Sequence, residues 1–139
     1  MTSLTLPDVN VWLALASPEH IHSQEAKRWW DRETGLIALC RFTQLGLLRR
    51  VTTATVMGGK PLSLDEAWRV YDSFLTDERV TFLSEPEGIG DLFRQRAAGK
   101  HASPKLLGDA WLLAFADARG GKLLTFDRAL APHHAQCLL

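Results

Sequence analysis

Leu4-Thr5-Leu6-Pro7-Asp8-Val9-Asn10-Val11-Trp12-Leu13-Ala14-Leu15-Ala16 is the stretch on which the fold turns. Leu4 to Leu6 read as a short strand stopped by Pro7, and the apolar run from Val9 to Ala16 reads as a helical turn or two closing at Ser17-Pro18. Asp8 therefore stands at a strand-to-helix junction. A similar arrangement returns late in the chain, where Lys122 to Phe126 form a strand and Asp127 follows it.

Between these two points the pattern alternates. His22 to Arg32, with Ala26, Trp29 and Trp30 at helical spacing, predict an amphipathic helix; Leu36 to Cys40 predict a second strand, and Phe42 to Val51 a helix whose Arg49 and Arg50 suit the negative end of its dipole. Thr52 to Pro61 carry the residues of an exposed loop. Ser63 and Glu66 make a capping box for a helix to about Leu75, and Val80 to Leu83 read as a third strand. Asp91 to Ala98 predict another helix. Ser103 and Pro104 then predict an N-cap and first helical residue for a helix to about Arg119, stopped by Gly120-Gly121. Gln136 to Leu139 read as a fifth strand at the sheet edge. No repeat or low-complexity tract interrupts the order.

Strands alternating with helices predict a three-layer α/β fold around a mostly parallel sheet of four or five strands flanked by helices, with residues 1–139 forming a single domain. Such folds place ligands beyond the C-terminal ends of their strands, which directs attention to Asp8 and Asp127. The chain has 46% hydrophobic and 23% charged residues with a net charge of zero, so bulk attraction to nucleic acid is excluded and any phosphate binding must be local. No apolar run approaches the roughly 20 residues needed to span a bilayer. Cys40 and Cys137 lie far apart, without a Cys-x-x-Cys pair or a secretory apolar segment after Met1, which predicts a reduced, cytoplasmic protein.

Asp109 is the most informative acid, because Leu106, Leu107, Ala110, Trp111, Leu113, Ala114 and Phe115 surround it on a helix with little room for a wet face. A buried carboxylate neutralises, pairs or binds a metal. Lys105, four residues earlier, offers a local ion pair; a divalent cation is the alternative. Asp117 lies eight residues further on, about 12 Å along the axis, and reads as a solvated charge near the helix end. Asp8 or Asp127 alone is better explained as a helix N-cap or turn former. Converging with Asp109, however, they make sense around a hard cation such as Mg²⁺, which takes oxygen ligands and leaves positions for phosphate oxygens.

Four segments carry a family resemblance: residues 6–15 (LPDVNVWLAL), 41–50 (RFTQLGLLRR), 108–116 (GDAWLLAFA) and 123–130 (LLTFDRAL). In this order, and with Asp109 and Asp127 eighteen residues apart, the chain resembles PIN-domain ribonuclease toxins of the VapC family over almost its whole length. The resemblance implies a PIN fold, Mg²⁺ or Mn²⁺ dependence, endoribonuclease activity, a cognate VapB-like antitoxin and a homodimer. It places Asp8, Asp109 and Asp127 on the acidic positions, Asn10 and Thr125 on polar positions that shape the site, and Arg49 on the arginine after the second motif. Gln44 departs from the pattern, where the family usually has glutamate; an amide keeps an acceptor but loses charge and basicity. Gln44 is therefore expected to orient a water, and a module that only binds RNA or a protein partner is the competing function.

Arg41, Arg49, Arg50, Lys60, Arg94, Arg96, Lys100, His101 and Lys105 are candidate RNA-phosphate contacts, each equally explained as a solvated helix face. The five tryptophans predict core and interface packing, and His20, His22, His133 and His134 read as surface histidines rather than zinc ligands. Both cysteines read as small buried hydrophobes. A haloacid-dehalogenase-like phosphatase would want an acid at position 10, where Asn10 stands, and a receiver-like domain would want adjacent acids that the chain lacks.

Overall fold

Four residues, Leu4–Pro7, form β1, and the chain passes through Asp8 straight into α1, Val9–Ala16, in a computed structural model that describes residues 3–139. There follow α2 (Ser23–Arg32), β2 (Leu36–Leu39), α3 (Arg41–Val51), α4 (Leu64–Leu75), β3 (Val80–Phe82), α5 (Ile89–Arg96), α6 (Leu106–Ala118) and β4 (Lys122–Thr125). A 3₁₀ turn over Arg128–His133 leads into β5, Ala135–Cys137. The sheet order is β3-β2-β1-β4-β5, and every pairing is parallel.

Side chains alternate across each strand, so both faces must be covered by helices. Ile37, Leu39 and Leu124 join the core beneath α1 to α4, whereas Leu6, Ala38, Cys40 and Leu123 join the core beneath α5 and α6. Trp12 fixes the first of these layers. Its fully buried ring meets Phe74 of α4 edge-on at 5.0 Å and Trp30 of α2 at 6.3 Å, contacts of a kind worth about 0.5–1.5 kcal/mol each beyond burial.

The capping box at Ser63 and Glu66 forms as expected, with reciprocal bonds of 3.0 and 3.1 Å. The helix stop also forms. Gly120 adopts φ +66°, the Gly121 N–H reaches the Ala116 carbonyl at 2.8 Å, and the Gly120 N–H reaches that of Asp117 at 3.2 Å, a Schellman closure.

Two local expectations change. Pro7 ends β1 from inside the strand rather than stopping it beforehand: it pairs with Leu124 of β4, while the register with β2 extends only through Thr5. Its missing donor thus falls beyond that second ladder. Ser103 is not the N-cap of α6. The Leu106 N–H bonds the Ser103 carbonyl at 3.1 Å, placing Pro104 at the second position of a turn, a conformation its fixed φ favours as readily as a helix start. The cap is Lys105, which supplies no side-chain bond to the helix.

Candidate metal centre

β1 and β4 are neighbours at the middle of the sheet, so the residues that follow them emerge side by side. Asp8 caps α1 through Oδ1, which accepts the Val11 N–H at 3.0 Å. Asp127 caps the 3₁₀ turn through Oδ1, which accepts the Ala129 N–H at 2.9 Å. The capping function and a site function are therefore compatible, because each cap occupies one oxygen and leaves the other. Thr125, fully buried, steadies Asp127 directly, its hydroxyl accepting the Asp127 N–H at 3.0 Å, and it lies close enough to Asp8 to hold that carboxyl down.

Asp109 enters from the first turn of α6. Burial pushes its carboxyl above the ordinary value, Lys105 pulls it down, and Asp127 adds repulsion. Burial likewise raises Asp8, with Asp109 adding to the rise and Thr125, Val11 and Lys105 opposing it. Asp127 shifts the other way, held down chiefly by its bond to Lys105 and then by the Ala129 N–H. Asp109 is thus the acid that links the other two, adding to the charge cost of Asp8 and bearing that of Asp127. Lys105 Nζ is the cation among them, 3.0 Å from Asp127 Oδ2 and 3.9 Å from Asp109 Oδ2. The local ion pair expected for Asp109 is present but is the longer of the two.

Among the described residues, no three His, Cys, Asp or Glu side chains are grouped closely enough to make a ready-formed metal cage. The chemistry of the donors nevertheless fits a hard divalent cation. All are carboxylate oxygens, two of them have charged forms disfavoured by burial, and Mg²⁺ characteristically takes only one or two protein carboxylates while keeping its waters. Asp109 and Asp127 line a cleft of about 290 Å³ with Ser103, Lys105 and His133, which is open to a ligand.

The remaining candidate residues have engagements separate from the three acids. Gln44 is buried in α3, and its Oε1 accepts from Arg41. Asn10 is exposed and accepts from Arg50 at 3.3 Å. Arg49 is exposed and borders a small cleft with Val9, Phe42 and Leu45. Asp117 is exposed as expected but is also paired: Arg96 Nε and Nη2 grip it at 2.9 and 3.1 Å, joining α5 to α6 and occupying a guanidinium assigned above to phosphate. His20 and His22 are half-buried rather than free at the surface, because Phe126 packs against both, at 6.1 and 4.7 Å. Cys40 is buried and Cys137 half-buried, both as free thiols. No helix among the described residues is long and apolar enough to cross a membrane.

The PIN domain family model matches residues 5–133. Ribonuclease VapC41 of Mycobacterium tuberculosis is 39% identical over 136 residues, covering 94% of this chain and 93% of that protein. Ribonuclease VapC44 of the same organism is 33% identical over 130 residues, covering 91% and 87%. The chain belongs to the PIN-domain family, in its VapC branch. Its fold is shared with VapC20 of M. tuberculosis, a sarcin-ricin loop cleaving toxin, at TM-score 0.62 and 13% identity over 88% of this chain and 87% of that one. It is also shared with VapBC2 of Rickettsia felis, solved bound to a promoter DNA fragment, at TM-score 0.65 and 11% identity over 96% of each chain.

Proposed function

We propose that this protein is a metal-dependent endoribonuclease, the toxin of a type II toxin–antitoxin pair, and that Asp8, Asp109 and Asp127 hold Mg²⁺ or Mn²⁺. The observation that carries this reading is the approach of Asp109 and Asp127 to one ammonium, at 3.9 and 3.0 Å, with Asp8 close enough to feel the charge of Asp109. The ribonuclease names of relatives that align along nearly the whole chain support the activity. When bound, the metal supplies Lewis-acid polarisation of the scissile phosphate and a more acidic water.

The chain's own residues do the positioning. Thr125 holds the Asp127 backbone, and the α1 and 3₁₀ caps use only Oδ1 of Asp8 and of Asp127, the second oxygen of Asp127 being the one that Lys105 holds. Asp109, driven by burial to seek positive charge, completes the set. Exposed basic residues at Lys60, Arg94, Lys100 and His101 supply candidate contacts to RNA phosphates.

A VapB-like antitoxin and a homodimer follow from the same family reading, and the R. felis neighbour is a VapBC assembly. A strip of apolar surface supports the homodimer: Phe42 stacks on Trp111 at 5.5 Å, with Leu45 and Leu107 exposed beside them, more than half of each in solvent. A groove between α1, α2 and α4, lined by Leu15, Pro18, Trp30 and Phe74, suits an apolar antitoxin segment.

Incubation of purified protein with structured RNA in Mg²⁺ or Mn²⁺, with EDTA and Asp109→Asn as controls, tests the activity. Metal-dependent cleavage lost in both controls is the expected outcome; equal cleavage by the Asp109→Asn protein defeats the scheme. The engagement of Gln44 by Arg41 favours the second reading, a silent RNA- or partner-binding module. RNA retention without cleavage in either metal selects it.

A further inference from the structure

Lys105 belongs to the acidic cluster more intimately than an approach residue would. Its Nζ reaches Asp127, twenty-two residues away in sequence, at 3.0 Å, and Asp109 at 3.9 Å, and it also acts on the charge of Asp8. No other side chain forms a salt bridge with any of the three acids among the described residues.

The backbone and the ammonium of this lysine are held very differently. Its carbonyl accepts the Asp109 N–H at 3.0 Å, and the turn over Ser103–Leu106 sets its Cα at the start of α6. Its side chain, by contrast, is 64% exposed and held at its tip only by the two carboxylates. Ion pairs this exposed are weak and readily exchanged. A dication carries twice the charge into the same carboxylates, and once it takes the Asp127 oxygen it repels the ammonium a few ångströms away.

We propose that Lys105 is a built-in counter-ion that competes with the divalent cation for Asp127 and Asp109, so that loading the metal requires its ammonium to leave. The inference rests on the metal-centre reading given above. Its physical content is a cost of loading: the carboxylates are neutralised in advance, and metal affinity is set lower than the acids alone would give. Once released, the ammonium stays beside the cleft that Asp109 and Asp127 line, where an RNA phosphate would be its replacement partner.

Titration calorimetry with Mn²⁺ alone, on the full chain after EDTA removal, tests this without reference to catalysis. Lys105→Met should bind Mn²⁺ on the order of fivefold more tightly than the unaltered protein, from loss of one charge a few ångströms from a dication. Lys105→Arg should bind no more tightly than the unaltered protein, and Arg119→Met, at the far end of α6, should leave affinity unchanged. Thermal denaturation supplies an independent arm: Mn²⁺ should raise the melting temperature of Lys105→Met more than that of the unaltered protein. Equal affinities in the Lys105→Met and unaltered proteins overturn the competition while leaving the metal centre standing. If neither protein nor Lys105→Met binds Mn²⁺, the metal reading and the competition fall together.

Discussion

Lys105 Nζ bonds Asp127 Oδ2 at 3.0 Å across the mouth of the cluster, and so splits three neighbouring acids into one that is relieved of its charge cost and two that are not. Asp127, held below its ordinary value by Lys105, stabilises the fold above pH 3.8, and that contribution is lost as pH falls through the lowered value. Asp109 is raised by burial, so its ionisation costs stability, and the cost grows as pH climbs from 3.8 through the raised value. At pH 7 in EDTA, Asp109→Asn should therefore melt higher than the unaltered protein and Asp127→Asn lower, each within about 1 kcal/mol. Shifts of the same sign in both variants would refute this division.

His20 gives a second dependence on pH. Burial lowers its value below 6.5, with His22 and Arg50 adding repulsion. The folded chain thus takes up the proton less readily than the unfolded one, and stability present above pH 6.5 declines as pH falls toward the lowered value. His20→Asn should flatten the change in urea midpoint between pH 7 and about pH 5. An undiminished slope would place the effect elsewhere.

Gly46 permits the close approach of α3 to α1. A Cβ there would fall on Val9 Cγ2 and lie 3.0 Å from Val9 Cγ1, and a β-branched side chain has little freedom to yield. Gly46→Ala should cost about 1–3 kcal/mol despite alanine's better helix propensity. Combining it with Val9→Ala should recover most of that loss in chemical denaturation; strict additivity of the two changes would show that the helices do not meet as described.

Arg79 works at the opposite, N-terminal edge of the sheet. Nη1 donates to the Trp30 and Glu33 carbonyls at 2.6 Å each, Nε and Nη2 hold Asp77, and the guanidinium lies 4.6 Å from the Trp30 ring centre. Lysine cannot reproduce that fork, so Arg79→Lys should lose about 1–3 kcal/mol. RNA cleavage measured well below the melting temperature should be unchanged. A cleavage defect at unchanged stability would connect this edge to the site.

The layer order and the two strand-end acids were legible because they depend on local periodicity and on a rule about strand ends. Ile37, Ala38 and Leu39 face alternate cores as their apolar run implies, and Asp8 and Asp127 emerge from adjacent strands. Contacts between distant segments were not legible. Lys105 with Asp127, Arg96 with Asp117, and Phe126 with His20 and His22 each join surfaces that only the folded sheet brings into register. Ser103-Pro104 misled for a different reason: the pair suits a turn and a helix start equally well, and the choice depends on where Lys105 and Leu106 are carried by the rest of the chain.

The parallel register sets when the molecule can become whole during synthesis. β1 occupies the middle of the sheet, yet one of its partners is Lys122–Thr125, so Thr5 must wait for Lys122 before its ladder on that side can form. A nascent chain still on the ribosome carries Asp8 early but has no Asp127 to set beside it until the translation of this stretch is nearly done. Long-range parallel pairing is slow to form for the same entropic reason. The acidic cluster is thus absent until β4 has been made, and a truncated translation product lacking β4 would be unable to assemble it.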